Sequence, residues 1–112
     1  MKNFWLKKQR IRLYGIDTPE SRTRDKVEKK FGFMAKDYLV SYLGETSTLR
    51  TKKDGKGKFG RILGEFIVYD PAKDSYRSVN EMLVESHHAV AYHGQSKKDI
   101  EEEHLKNRTY FD

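Results

Sequence analysis

The sequence predicts a single α+β domain over residues 1–112, built as a small barrel or curled sheet with attached helices. The length of 112 residues suits one small domain with one core. Strand-like and helical segments follow in the order strand, helix, strand, strand, helix, helix, and not in the alternation typical of a doubly wound parallel sheet. No repeat, low-complexity tract or linker divides the chain.

Three stretches have the composition of β-strands. Residues 4–16 combine β-branched and aromatic side chains. Their last six positions alternate between two faces, with Ile11, Leu13 and Gly15 on one and Arg12, Tyr14 and Ile16 on the other. Residues 46–53 and 61–70 predict two further strands, joined by a glycine-rich loop over 54–60.

The helices are predicted from periodicity and capping residues. Over residues 32–44, large apolar residues recur in pairs every four positions, and Gly44 is a suitable stop. Ser78, with Glu81 three positions later, predicts a capping box for a helix over 79–88. Ser96 precedes a strongly charged helix running to about residue 106. Residues 20–31 carry many charges and predict an exposed, mobile loop.

The composition favours an anionic partner. Lys and Arg number 23 against 17 Asp and Glu, which gives a net charge of +6 and a pI of about 9.5. Such a surface binds nucleic acid through release of counterions from phosphates, although a basic surface without a partner is the alternative. Cysteine is absent, which excludes disulfides and cysteine-based zinc sites.

The chain has no membrane-spanning or secretory signal. No apolar run approaches the roughly 20 residues that a span needs. The amino-terminal "MKNFWLKKQR" is basic but lacks the apolar core of a signal peptide. We therefore expect a cytoplasmic protein without a membrane partner, and a leader lost from a longer natural chain stays open.

Two sequence patterns resemble binding sites but have simpler structural explanations. The letters "GKGKFG" at 55–60 match the G-x-G-x-x-G dinucleotide pattern, but they lead into a strand and not into a helix, so a hairpin loop explains them. The four histidines lack the i, i+4 spacing of metal-binding helices with a supporting acidic residue. We expect helix-end or surface positions for them: His87, His88, His93 and His104.

The stretch "RIRLYGIDTPESRTR" (10–24) combines carboxylates with arginines at a strand end. Asp17 and a neighbouring backbone carbonyl are oxygen ligands that a hard cation prefers, and Glu20 could hold and deprotonate a water. Arg12 and Arg61 could bind phosphate oxygens bidentately, and we expect Arg12 to do so in preference to Arg22 or Arg24. From the residues alone, a solvated turn with incidental charges remains the alternative.

Four segments together resemble the thermonuclease family, the staphylococcal nuclease-like domains. They are "RLYGIDTPE" (12–20), "KFGFMAKDYL" (30–39), "KFGRILGEFIV" (58–68) and "SVNEMLVESHHAVAY" (78–92). The similarity extends over about residues 10–92. It implies a five-stranded OB-fold barrel with three helices and calcium-dependent hydrolysis of phosphodiester bonds in DNA or RNA.

The resemblance also implies roles for individual residues. Asp17 would bind calcium by its carboxylate and Thr18 by its carbonyl, and Glu20 would be the general base. Arg12 and Arg61 would hold the phosphate. Three residues match positions of the nucleotide pocket: Lys58, Phe59 and Tyr92. Phe59 stands where a tyrosine is usual, so it can stack on a base but cannot donate a hydroxyl hydrogen bond.

The chain departs from the family pattern before residue 17. The family carries a D-G-D-T motif on an upstream strand, whereas residues 1–16 contain no Asp or Glu. The resemblance thus implies a barrel without its first two strands, weak calcium binding, and open edges through which the chain could form a homo-oligomer. A non-catalytic nucleic-acid-binding or adaptor domain on the same scaffold is the alternative function.

The spacing of Arg12 and Asp17 makes one further prediction. The two residues are five positions apart, so an unbroken strand would place their side chains on opposite faces. Both can serve one site only if the strand bends between them. Gly15 is the suitable position for such a bulge or bend.

Overall fold

The computed structural model describes residues 3–6, 9–43, 48–53 and 62–111 and confirms the α+β class. The strands are β1 (Asn3–Leu6), β2 (Gln9–Leu13), β3 (Ile16–Asp17), β4 (Thr48–Lys53), β5 (Ile62–Asp70), β6 (Ser75–Ser78) and β7 (Val90–Ala91). The helices are α1 (Lys26–Leu43), α2 (Val79–Glu85) and α3 (Lys97–Arg108), followed by a 3₁₀ turn (Thr109–Phe111). None of the helices in these ranges has the length and apolar character needed to cross a membrane.

Strand β5 organises a mixed five-stranded sheet. The sheet has the order β1-β2-β5-β4, and β6 also pairs with β5. The β2–β5 pair is parallel, with Ile11 opposite Ile62, and the other pairs are antiparallel. Strands β3 and β7 form a separate antiparallel pair. Among the described strands no pairing joins the two sheets into a closed barrel, so the OB-fold barrel stays a prediction.

The core lies between β5 and the helices α1 and α2. Its buried members are Leu13, Ile16, Ala35, Leu39, Phe66, Val68, Val79, Met82, Leu83 and Ala89. Ala35 and Leu39 have no exposed surface, which confirms the predicted inward face of α1. Burial of each large apolar side chain stabilises the fold by roughly 1.5–3 kcal/mol relative to exposure.

Helix α1 begins six residues before its predicted start, at Lys26 instead of residue 32. Asp25 explains the early start, because its Oδ1 accepts hydrogen bonds from the backbone N–H groups of Val27 at 3.0 Å and Glu28 at 3.1 Å. The second turn then buries Phe31, which is 8% exposed. The predicted loop over 20–31 is therefore wrong from residue 26 onward.

A turn at Gly15 divides the predicted strand region. Gly15 has φ of +74°, a left-handed conformation that suits glycine, and the short β3 follows it. Ile11 and Leu13 are buried while Tyr14 is exposed, as the alternation predicts. Ile16 is also buried, in the same core as Leu13, so its predicted place on the opposite face from Ile11 and Leu13 is wrong. The predicted bend at Gly15 is confirmed, and it is what reverses the alternation.

The predicted helix caps are confirmed. Ser78 Oγ accepts from the N–H of Glu81 at 3.4 Å, and Ser96 Oγ accepts from the N–H of Asp99 at 3.1 Å. Helix α2 ends at Glu85, three residues before its predicted end, and α3 continues two residues beyond 106. The predicted stop at Gly44 and the glycine loop 54–60 lie outside the described residues.

Candidate functional site

The turn at Gly15 brings Arg12 and Tyr92 together. Asp17 in β3 pairs with Val90 in β7, and the N–H of Tyr92 donates to the carbonyl of Gly15 at 2.8 Å. This pairing places the guanidinium carbon of Arg12 5.7 Å from the centre of the Tyr92 ring, within the range of a cation–π contact. Tyr92 remains 42% exposed. In such a pair the guanidinium can hold a phosphate, and the exposed ring can stack on a base.

Asn80 holds the backbone of the turn that follows Arg12. It lies in the first turn of α2 and is 2% exposed. Its Nδ2 donates to the carbonyls of Tyr14 and Gly64, both at 3.0 Å, and the N–H of Tyr14 donates to Gly64 at 2.8 Å. One amide group thus joins the residue that follows β2 to the third residue of β5.

The carboxylate of Asp17 is buried against helix α3. Its Oδ2 lies 2.7 Å from Nε2 of His104, and the two side chains are only 10% and 14% exposed. An ionised carboxylate only accepts hydrogen bonds, so with Asp17 ionised the hydrogen of this contact lies on Nε2. The neighbouring Thr18 is 3% exposed. The first half of the DTPE segment is therefore held inside the protein, not displayed on a solvated turn.

The prediction that the histidines are helix-end or surface residues is wrong for His104. The prediction fails because the packing of α3 in the folded protein turns His104 towards Asp17. His87 and His88 do follow the end of α2. His87 stacks on Tyr110, with ring centres 3.6 Å apart, and His88 contacts the rings of Tyr38 and Phe111. Burial lowers the pKa of His88 below its ordinary value of 6.5.

Glu20 lies at the other end of the segment and is half-buried. Its backbone rests on helix α1: the N–H of Glu20 is 3.5 Å from Oε1 of Glu28, a long hydrogen bond. Glu20 is thus anchored to α1, whereas Asp17 is anchored to α3. The three residues Asp17, Thr18 and Glu20 share one short segment that two helices hold.

A cavity of about 340 Å³ lies between this segment and α3. Asp17, Thr18 and Pro19 form one wall. The α3 wall carries both signs of charge, with Lys97 and Glu101 among its residues. Glu20 and Arg12 are not among the residues that line it.

The described residues do not make a calcium site. Within ranges 3–6, 9–43, 48–53 and 62–111, no three histidine or acidic residues come together as metal ligands. Calcium takes roughly six to eight oxygen ligands. Asp17 and Thr18 would supply two of them, and one oxygen of Asp17 already accepts from His104. The predicted calcium ligands therefore do not fit the ion by themselves.

Three predicted site residues lie outside the described part of the chain: Lys58, Phe59 and Arg61. The sequence places Arg61 directly before β5, whose first residues pair with β2. Leu63 of β5 is the register partner of Arg12.

A family model described as staphylococcal nuclease homologue matches residues 10–109. The chain belongs to this family. Endonuclease YhcR of Bacillus subtilis (strain 168) is 31% identical to this staphylococcal nuclease homologue over 90 residues, which cover 74% of the chain. The matched region is only 7% of the endonuclease, so the chain spans less than a tenth of that relative.

In this staphylococcal nuclease homologue, we expect His104→Ala to loosen α3. The change removes a hydrogen bond to a buried carboxylate, worth roughly 1.5–3 kcal/mol of unfolding free energy. Urea unfolding measures the loss. His93→Ala, at an exposed position, is the matched control and should stay within about 0.5 kcal/mol of the parent. Equal stabilities for the two variants would contradict an anchoring role for His104.

Proposed function

We propose that this chain is a nuclease-type enzyme that hydrolyses phosphodiester bonds in DNA or RNA. The observation that carries the proposal is the turn at Gly15, which sets Arg12 beside Tyr92 and leads directly into the segment of Asp17 and Glu20. Membership in the staphylococcal nuclease homologue family and the similarity to an endonuclease support the same reaction class.

The proposed reaction assigns one task to each group. Glu20 takes the proton of a water while that water attacks phosphorus and the P–O bond to the leaving oxygen breaks. Arg12 and Arg61 bind the phosphate oxygens and stabilise the charge that develops on them. Tyr92, with Lys58 and Phe59, holds the nucleotide, and the two aromatic rings stack on bases.

Calcium dependence is a second, more specific part of the proposal. Asp17 and Thr18 are the proposed ligands, and the ion would need further oxygen ligands beyond these two. A single carboxylate and a carbonyl support only weak binding, so we assign no step of the reaction to the ion. Cleavage rates measured over a calcium titration and in EDTA would establish the dependence.

The proposed partner is nucleic acid, and a second copy of the chain is a further proposal. Within the described sheet, β1 and β4 are the outermost strands of the main path. An outer strand can pair with the edge of another copy. Light scattering of the purified chain would distinguish a monomer from such an oligomer.

Cleavage of labelled single-stranded and duplex DNA and RNA tests the proposed function. We expect Arg12→Gln to lower the rate at least about tenfold, because charged hydrogen bonds to phosphate are worth roughly 1.5–3 kcal/mol. Arg24→Gln, in the exposed loop before α1, is the matched control and should cleave like the parent. Both variants lose one positive charge, so a general electrostatic effect would lower the two rates equally.

Two outcomes would overturn the proposal. Salt-dependent binding of strands without cleavage, with or without calcium, would identify a non-catalytic binding or adaptor domain. Neither binding nor cleavage of any strand would remove nucleic acid as the partner. Cleavage with equal sensitivity to Arg12→Gln and Arg24→Gln would keep the reaction but remove Arg12 from the phosphate site.

A further inference from the structure

The peptide bond after Glu20 lies directly against helix α1 at Gly32. A Cβ atom on Gly32 would come within 2.6 Å of the carbonyl carbon and oxygen of Glu20 and 2.7 Å of the nitrogen of Ser21. Favourable contacts between non-bonded carbons lie at about 3.5–4.0 Å. The atoms in the way belong to the backbone, so a side chain on residue 32 has to displace the Glu20 segment or the helix.

Glycine destabilises the helix at this position, and the close approach of the Glu20 backbone explains why it is nevertheless present. Gly32 lies in the interior of an 18-residue helix, where glycine is roughly 1 kcal/mol less favourable than alanine. The helix accepts that cost where the backbone of another segment must touch it. Glu28, one turn earlier, adds the second contact through its long hydrogen bond from the N–H of Glu20.

We propose that Gly32 is a positioning residue for Glu20: by lacking a side chain, it lets α1 hold the Glu20–Ser21 peptide at the depth that the proposed reaction needs. The inference rests on the proposed role of Glu20 as general base. Misplacing a reacting group by 1 Å can cost roughly hundredfold in rate. Gly32 itself touches no substrate and acts only through the segment that lies on it.

The inference predicts that Gly32→Ala harms the protein, although the same change in a helix interior is ordinarily favourable. Alanine in a helix interior ordinarily stabilises a protein relative to glycine, since it lowers the backbone entropy of the unfolded chain. Here the added methyl group meets backbone, so it should shift Glu20 outward. We expect kcat of strand cleavage to fall by roughly tenfold to hundredfold, with KM changed less than about twofold.

Amide hydrogen exchange gives a readout that does not depend on activity. In Gly32→Ala, the amides of Glu20 and Ser21 should exchange faster, while that of Leu39 in the buried part of α1 keeps its protection. Lys36→Ala, at an exposed position one turn further along α1, introduces the same residue as a matched control. It should leave kcat, KM and the exchange of Glu20 and Ser21 unchanged.

Each outcome of this experiment decides one question. Unchanged exchange at Glu20 and Ser21 in a folded Gly32→Ala protein would overturn the positioning role. Faster exchange with unchanged kcat would overturn the link to catalysis. If the parent protein cleaves no strand, the proposed function fails, whereas exchange at the two amides still decides whether Gly32 positions the segment.

A second pair of variants covers the case in which Gly32→Ala does not fold. Glu28→Ala removes the acceptor for the N–H of Glu20, and Glu28→Gln keeps an oxygen there. We expect faster exchange at Glu20 and a lower kcat for Glu28→Ala, and recovery of both in Glu28→Gln. If Glu28→Ala matches the parent in exchange and in kcat, α1 does not position Glu20 and the inference is wrong.

Discussion

Glu20→Gln is expected to lower the rate of phosphodiester cleavage by roughly hundredfold or more, the contribution of a general base. Glutamine has nearly the size of glutamate but cannot take a proton from water. Since the backbone of Glu20 rests on α1 at Gly32 and glutamine fills nearly the same space, the amide should leave the segment in place. Single-turnover cleavage of a labelled strand measures the loss, and strand binding should change little.

The matched control for this prediction is Glu102→Gln on the exposed side of α3. It makes the same chemical change and the same change in net charge, and it should cleave like the parent. Urea unfolding of both variants checks that any loss of rate is not a loss of folded protein. Cleavage by Glu20→Gln at the parent rate would remove Glu20 from the reaction and leave the general base unassigned.

The bend at Gly15 could be predicted because two constraints in the sequence conflict. Alternation requires Arg12 and Asp17 to face opposite ways, whereas one site requires them to meet. A glycine between them is the residue that allows the chain to turn, and its φ of +74° shows that it does. The burial of Ile16 was missed for the same reason, since the alternation was continued through the turn.

The start of α1 was missed although the sequence carried a signal for it. Asp25 is followed three positions later by Glu28, the spacing of a capping box, and Asp25 does cap the first turn. The many charges of residues 20–31 pointed to a solvated loop. In the helix, most of those charges lie on the outward face, while Phe31 and Gly32 face inward. Charge density alone does not distinguish a loop from an exposed helix face.

The contact between His104 and Asp17 could not be predicted from local pattern. The two residues are 87 positions apart, and α3 buries no residue fully, so it has no apolar stripe to show which side packs. The partly buried residues of α3 are Ile100, His104, Asn107 and Arg108, and because three of these four are polar, the buried side of the helix gives no apolar period in the sequence. Contacts of such a helix depend on the tertiary arrangement of its partners.

Asn80→Ala is expected to lower the free energy of unfolding by roughly 2–4 kcal/mol. The change removes two buried hydrogen bonds and leaves a small cavity in the first turn of α2. The carbonyl of Tyr14 loses its amide donor, whereas that of Gly64 keeps the N–H of Tyr14. Urea unfolding at constant m-value measures the loss.

Two further variants separate the lost hydrogen bonds from the lost volume. Asn80→Asp keeps the volume but turns a donor into an oxygen that faces two carbonyl oxygens, so it should be less stable than Asn80→Ala. Asn107→Ala removes a single amide bond to the carbonyl of Ala89, on a partly buried residue, and should cost no more than about 1 kcal/mol. If Asn80→Asp is as stable as the parent, the donated bonds do not hold β2 to β5. The geometry of Arg12 and Tyr92 must then depend on the backbone pairings β2–β5 and β3–β7 without help from Asn80.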